Sequence, residues 1–180
     1  MKLFKWYWIV FIHKYYVFKY ALHFSFKLIK RALMHDFSKL RPSEAIGFSR
    51  LLSYKHKAEY GSREYHFKLN ENINSINNHY KRNRHHPEFH KEGIQDMSLL
   101  DIIEMYVDWG AAIKVNQDGN IAKSIDSGTQ RFGYGNTLKN IMLNSIKDFP
   151  NEKRTNRNTQ KWFKKMGFRL LFRSNYGGSK

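Results

Sequence analysis

Apolar residues recur at the three- and four-residue spacing of an α-helix through most of the first 115 residues. The first such segment, residues 3–24, lacks glycine and proline, and Ile9, His13 and Val17 share one apolar stripe. We expect this helix to be buried, although its mixture of lysine, tryptophan and aliphatic residues also suits a helix on a membrane surface. Its longest uncharged run has eight residues, against roughly twenty needed to cross a bilayer, so the sequence predicts no membrane span.

Four further helices are predicted before residue 115. Pro42 suits the first turn of the one that it begins, and a polar loop at 54–62 follows that helix. Ser98 and Asp101 have the spacing of a capping box at the start of the last. The four helices are expected at residues 27–39, 42–53, 63–81 and 99–113.

Beyond Val115 the pattern changes. Residues 116–120 read as a turn, and three glycines, at positions 128, 133 and 135, are expected to interrupt the segment after it. Asn136 can cap a helix that runs to about Lys147. A polar linker at 151–160 then leads to a basic and aromatic segment at 161–173. We therefore predict an all-α protein with a helical core at 1–115 and a basic helical extension at 116–180.

The net charge is +17, and the cations are concentrated at both ends of the chain. Residues 1–31 contain seven lysines or arginines and no acid, and residues 151–180 contain nine against the single Glu152. Basic ends favour a polyanionic partner, namely a phosphorylated substrate, nucleic acid gripped by the basic tail, or an anionic membrane surface. Compositional drift towards lysine is the alternative. Cysteine is absent, which excludes thiolate ligands and suits a reducing cytoplasm.

Two short segments carry most of the candidate chemistry. His35 and Asp36 are adjacent and are followed by Lys39, and a neutral imidazole beside a carboxylate suits first-row divalent ions. Residues 79–90 then contain four histidines and Glu88. Pro87 ends the preceding helix, so this histidine-rich stretch lies where the chain turns. A basic loop whose histidines have no special role is the alternative.

The predicted helix at 99–113 carries Asp101, Glu104 and Asp108 on one face, next to an apolar stripe. Carboxylates at the border of an apolar stripe must reach solvent or meet cations, because burial without a partner is costly. A solvated face remains the alternative to a role in binding.

Taken in order, these residues resemble the HD-domain superfamily of metal-dependent phosphohydrolases. The segment 35–39 is similar to its HDxGK motif with Ser38 in place of glycine, and 85–88 is similar to the HHE stretch of its two-metal members. A small uncharacterised group of phage and bacterial proteins resembles the chain more closely. Its motifs HDxSK, HxxxNxHHPE and EMxxDW recur here within residues 13–113.

The resemblance implies an HD-domain-like helical bundle that holds one or two divalent ions, of Mn, Fe, Mg or Ni. Asp36 would bridge two ions, Lys39 would steady a phosphate, and Glu88 is a candidate base. Glu44, Asn83 and Glu104 would orient the ligands. His23 is an alternative to His13 as the first ligand, and only one of the adjacent His85 and His86 is needed. The implied metal ligands are His13, His35, Asp36, His79, His85, His86 and Asp108.

The activity that the resemblance implies is hydrolysis of a nucleotide or another phosphoester in the cytoplasm of a bacterium or a phage-infected host. Two alternatives stay open at this point. The same superfamily fold hosts di-iron oxygenases, and a basic protein could instead bind nucleic acid or an anionic membrane while its histidines hold only structural metal.

Overall fold

The computed structural model describes residues 2–54, 62–115 and 120–150, and all regular structure within them is helical. The prediction of an all-α protein is therefore confirmed. Short 3₁₀ turns lie at Phe37–Leu40, Pro87–Phe89, Gly93–Asp96 and Ser145–Asp148. The α-helices of the described residues are α1 Lys2–Met34, α2 Pro42–Tyr54, α3 Arg63–Glu71, α4 Ile73–Tyr80, α5 Leu99–Val115, α6 Ile121–Phe132 and α7 Asn136–Asn144.

The first helix is longer than the sequence predicts. Instead of separate helices at 3–24 and 27–39, α1 continues without a break from the first predicted segment into the second and ends at Met34. Ser25 does not interrupt it, because the Ser25 hydroxyl donates a hydrogen bond to the Ala21 carbonyl one turn earlier. His35 and Asp36 consequently lie just after the helix and not within it.

The expected burial of this helix is also wrong, since α1 has no buried residue. His13 and His23 are both exposed. The helix is partly covered at Val10, Leu28 and Arg31 alone. None of the described helices is long and apolar enough to cross a membrane.

The helix predicted at 63–81 is divided into α3 and α4. Asn72 separates them, with its side-chain amide donating a hydrogen bond to the Lys68 carbonyl at 3.0 Å. This side chain competes with the helical backbone for its acceptor, which explains why propensity alone misses the break. As a result α4 is a separate helix, and it packs along α2.

Close packing of α2 on α4 depends on two small residues. A Cβ on Gly47 would overlap the side chain of Ser75, and the Ser75 hydroxyl donates to the Ser43 carbonyl at 3.0 Å. The backbones of the two helices can therefore approach closely. This approach brings Glu44 of α2 against His79 of α4, both of them buried.

The chain divides into two compact units, residues 1–106 and 107–180. The first unit contains α1 to α4 and the start of α5, and its interior is unusually polar. Its buried residues include the apolar Ile76, Ile94, Met97 and Met105 and the polar Glu44, Asn72, His79, His85 and Asp101. The predicted domain boundary at residues 115 and 116 stays a prediction.

In the second unit the prediction that Gly128 breaks the chain is wrong, because α6 passes through it. Asn120 caps this helix by accepting a hydrogen bond from the Lys123 amide at 3.2 Å. Gly128 is buried where a Cβ would lie 2.5 Å from the ring of Trp109, so the helix needs a residue without a side chain there. Gly133, with φ of 67°, ends α6 as expected of a left-handed glycine.

The last described helix begins where predicted but ends earlier. Gly135 and not Asn136 occupies the N-cap of α7, and the helix gives way to a 3₁₀ turn at Ser145–Asp148. Most of the loop predicted at 54–62 and of the turn at 116–120 lies outside the described residues. The linker at 151–160 and the basic segment at 161–173 also lie outside them.

Candidate metal centre

The His-Asp pair occupies a backbone position that few residues adopt. Asp36 has φ of 56° and ψ of 15°, in the left-handed region, and is the sole residue other than glycine with positive φ in the described chain. Aspartate and asparagine tolerate this region better than other side chains. The reversal after α1 turns the Asp36 carboxylate towards the segment that follows α4.

Four residues bring a ligand atom into one small cluster, hereafter the His-Asp cluster: Asp36, His79, His85 and His86. Their ligand atoms all lie within 4.8 Å of one another. Asp36 Oδ1 is 3.2 Å from His79 Nε2 and 3.5 Å from His85 Nε2. His86 Nε2 is 2.9 Å from His79 Nε2.

Two atoms at the centre of the cluster are buried without a hydrogen-bond partner. They are Asp36 Oδ1 and His85 Nε2, and the His85 side chain is 2% exposed. A buried polar atom left without a partner costs about 1–3 kcal/mol. Both atoms are electron-pair donors when Asp36 is ionised and His85 is protonated on Nδ1, so a cation between them would satisfy both at once.

The outer nitrogens of the histidines face carboxylates. His79 Nδ1 is 3.0 Å from Glu44 Oε2, and Glu104 Oε1 is 3.1 Å from His35 Nδ1 and 3.4 Å from His85 Nδ1. An ionised carboxylate only accepts, so a proton on each Nδ1 would satisfy these contacts. The Nε2 lone pairs of His79 and His85 are then directed towards Asp36, as in metal-bound histidines.

Burial and the neighbouring side chains determine the charge of Asp36 and of His86. Burial alone would raise the pKa of Asp36, but the neighbouring His79 and the Lys39 ammonium, which pairs with Asp36 Oδ2, outweigh burial and hold that pKa well below its usual range. Burial, together with the neighbouring His85 and His79, lowers the pKa of His86 to about 2. At neutral pH, Asp36 is therefore an anion and His86 a neutral imidazole.

A second group of charges supports the cluster from α5. Asp101 is fully buried and is paired with Arg31 of α1 and with Arg84, whose Nη2 lies 3.1 Å from Asp101 Oδ2. Arg31 Nε also donates to Glu104 Oε2 at 2.7 Å. Burial opposes ionisation of Glu104, but hydrogen bonds from His35, His85 and Arg31 lower its pKa. Arg31 thus holds in place the carboxylate that faces the two histidines.

Glu44 is held in a similar way from α2. It is fully buried and accepts hydrogen bonds from Ser38 Oγ at 2.7 Å and Arg82 Nη1 at 2.9 Å, in addition to His79. These donors outweigh the effect of burial and lower the pKa of Glu44. Asn83 donates to the His79 carbonyl and to Ser38 Oγ, both at 2.7 Å, so it fixes the turn after α4.

A cavity of about 370 Å³ is lined in part by Ser38 and Asn83, both of which contact His79 of the cluster. Three of the residues that line it are cations, and two are phenylalanines. Lys39 lies nearby, where its ammonium pairs with Asp36 Oδ2 and lies 5.1 Å from the centre of the Phe48 ring. The lining consists of Met34, Phe37, Ser38, Arg41, Lys81, Arg82, Asn83 and Phe89.

The structure does not bring all the predicted residues together. His13 is exposed on α1, and the 21 residues from there to Met34 span roughly 32 Å at the helical rise. Glu88 is exposed on a 3₁₀ turn and is not a member of the cluster. Asp108 lies one turn beyond Glu104 on α5, and its role as a metal ligand stays a prediction.

Sequence reasoning missed the residues that support the cluster from a distance. Arg31 is 70 residues from Asp101, and Arg82 is 38 residues from Glu44. Arg31 lies outside the motifs and Arg82 occupies a variable position of HxxxNxHHPE, so neither differs in the sequence from the many other cations of this basic chain. The one available signal was the border of carboxylates on α5, which required cationic partners without indicating which.

Three imidazole nitrogens and one carboxylate oxygen form a donor set of the kind that binds first-row divalent ions. The fold and the cluster thus define an all-α protein with a candidate metal centre. The chain belongs to a family of unknown function (DUF5662), whose model matches residues 8–165. No curated protein and no solved structure matches the chain.

Proposed function

We propose that the protein is a metal-dependent phosphohydrolase that cleaves a nucleotide or another phosphoester. The observation that carries the proposal is the pair of buried atoms without hydrogen bonds, Asp36 Oδ1 and His85 Nε2, which lie 3.5 Å apart. Such a pair is costly unless a cation is bound. The resemblance of the motifs to HD-domain phosphohydrolases supplies the reaction class.

Asp36, His79, His85 and His86 would hold one divalent ion. Three of these four ligand atoms are nitrogens, which favours Mn, Fe or Ni over Mg, because Mg prefers oxygen ligands. Such an ion, when bound, acts as a Lewis acid and lowers the pKa of water. The resemblance adds His35 and Asp108 for a second ion, and that part remains a prediction.

The residues around the cluster suit a phosphorylated substrate. Arg41, Lys81 and Arg82 supply positive charge to the adjoining cavity, and Phe37 and Phe89 supply apolar surface of the kind that a nucleobase would need. Hydrolysis forms a bond from a water oxygen to phosphorus and breaks the bond from phosphorus to the ester oxygen. The departing oxygen takes up one proton of that water, and the cations offset the developing charge. We assign this activity to the cytoplasm, which suits a chain without cysteine.

The first test is the metal content of the purified protein. We expect about one equivalent of Mn, Fe or Ni by elemental analysis, and its loss in Asp36→Asn. Asparagine tolerates the left-handed backbone and has a side chain of the same shape. We therefore expect this variant to lose the negative charge while it keeps the fold. His90→Gln is the matched control, because His90 lies in the same segment and, among the described contacts, its side chain forms a hydrogen bond only with the Arg84 carbonyl.

The second test is turnover of a panel of phosphomonoesters, phosphodiesters and nucleotides with the metal found. Loss of turnover in Asp36→Asn with retention in His90→Gln would support the proposal. A protein that takes up no Mn, Fe or Ni after reconstitution would refute the site. Bound iron with oxygen consumption and no phosphoester cleavage would replace hydrolysis with the oxygenase alternative.

A further inference from the structure

The long first helix has two distinct faces. At 100° per residue, an arc of about 200° around α1 carries Lys14 as its only charged residue. We call this arc the apolar face, and it extends along the whole helix, a length of about 50 Å. Its central residues, which are 43% to 78% exposed, are Phe4, Phe11, Phe18, Leu22, Ile29 and Leu33.

Within the described chain, α1 is held mainly by its last turns. The ring contacts of its aromatic residues are internal to the helix, as between Trp8 and Phe11, with centroids 6.2 Å apart, and between Tyr16 and Tyr20, 5.9 Å apart. Arg31 provides the attachment, through Asp101 and Glu104. Arg31 projects from the arc opposite the apolar face, so this attachment leaves the apolar face uncovered.

Charge distinguishes among the surfaces that could cover the apolar face. The helix contains seven lysines or arginines and no acid, and six of these cations lie outside the apolar face. A second copy of α1 would add seven more cations and no acid to pair with them. Residues 151–180, with nine cations and one acid, would also be repelled. An anionic surface is the complementary occupant.

We propose that α1 is an in-plane anchor that lays its apolar face into the surface of an anionic lipid bilayer. A wide apolar arc rich in Trp, Tyr and Phe beside a cationic arc is the pattern of helices that lie in the membrane interface. Aromatic rings settle at the headgroup level, and the lysines meet the anionic headgroups. This anchoring is independent of the chemistry proposed for the His-Asp cluster.

The test is co-sedimentation of the full-length protein with vesicles of phosphatidylcholine containing about 30% phosphatidylglycerol, and with vesicles of phosphatidylcholine alone. Two double variants separate the faces of α1. Phe11→Glu with Phe18→Glu places two acids on the apolar face, and Ile9→Glu with Tyr20→Glu places two acids on the opposite arc. The four side chains are similarly exposed, between 58% and 67%, and both variants change the net charge equally.

We expect the wild type to bind the anionic vesicles and the apolar-face variant to lose at least about tenfold in affinity, because charged groups enter the bilayer interface at high cost. The control variant should stay within about threefold of the wild type, since its acids face water. Equal losses in both variants, or no binding by the wild type, would overturn the proposal. It would also be overturned if the wild type were a dimer that Phe11→Glu with Phe18→Glu converts to a monomer, since a second copy would then be the occupant.

Discussion

Replacing the buried carboxylate of Asp101 with an amide should destabilise the first unit far more than the same change at an exposed site. Asp101 Oδ1 faces Arg31 Nη2 and Arg84 Nε, and Asp101 Oδ2 faces Arg84 Nη2 and the backbone and hydroxyl of Ser98. In Asp101→Asn, one oxygen becomes an NH₂ group. In either orientation of the amide, this NH₂ group would face hydrogen-bond donors of the arginines or Ser98. The variant also lacks the negative charge that pairs with Arg31 and Arg84.

The expected cost follows from burial. Asp101 is fully buried and the Arg31 side chain is 21% exposed, so the pair belongs with buried ion pairs, where removal of one partner costs about 3–5 kcal/mol. The Arg84 side chain is 54% exposed and can turn to water, which reduces the penalty. We therefore expect a loss of about 3 kcal/mol in the free energy of unfolding. Asp96→Asn is the control, because Asp96 is exposed and accepts from the Glu92 amide, and it should cost less than about 1 kcal/mol.

Urea unfolding measures the free energy of unfolding lost in Asp101→Asn and in Asp96→Asn. Repeating it at a series of pH values shows how each loss depends on pH. The Arg31, Arg84 and Ser98 donors lower the pKa of Asp101 in the folded state against the opposing effect of burial. A lowered pKa means that the stabilisation is present above the unfolded value of about 3.9 and is lost as the pH falls. The gap between wild type and Asp101→Asn should thus be full above about pH 4 and shrink below it. A gap that is independent of pH, or no larger than that of Asp96→Asn, would refute this account.

Three other substitutions, one of them with a control variant, test separate parts of the structure. Gly128→Ala should lower the melting temperature, because a Cβ would lie 2.5 Å from the Trp109 ring, whereas Gly135→Ala, with no heavy atom within 4 Å, should change it by less than about 2 °C. Tyr134→Phe removes a 2.6 Å hydrogen bond to a buried carbonyl of α6 and should cost about 1 kcal/mol in a denaturant titration. Glu44→Gln should weaken metal binding by about ten- to a hundredfold in calorimetry without removing a ligand. Unchanged affinity there would show that Glu44 does not orient His79.

Local signals in the sequence were reliable where a few neighbouring residues determine the structure. The capping box at Ser98 and Asp101 is confirmed, with the Ser98 amide donating to Asp101 at 2.8 Å and the Asp101 amide donating to Ser98 Oγ at 3.3 Å. Pro42 begins α2 as predicted. The turn that carries His85 and His86 follows from the effect of Pro87 on the residue before it.

The sequence failed where distant residues decide the outcome. Gly128 looks like a helix breaker until Trp109 and Tyr134 are packed against it, and then it is the residue that permits α6 to pass. The spacing of apolar residues on α1 predicted a buried face. Such spacing shows that a helix is amphipathic, but it does not show whether another part of the protein covers the apolar face. Asp36 was expected within a helix, and its left-handed backbone has no signature in the residues around it.

Because α1 is attached through Arg31, the helix is held near its C-terminal end and would tilt about that point. Arg31 lies three residues before the C-terminal residue of a rod about 50 Å long. A tilt of about 5° moves the far end at Lys2 by roughly 4 Å but displaces the guanidinium by well under 1 Å. Motion at the free end is therefore strongly reduced before it reaches Asp101 and Glu104. If α1 lies on a bilayer as proposed, its long arm would follow the movement of that surface while the carboxylates that position His35 and His85 stay in place.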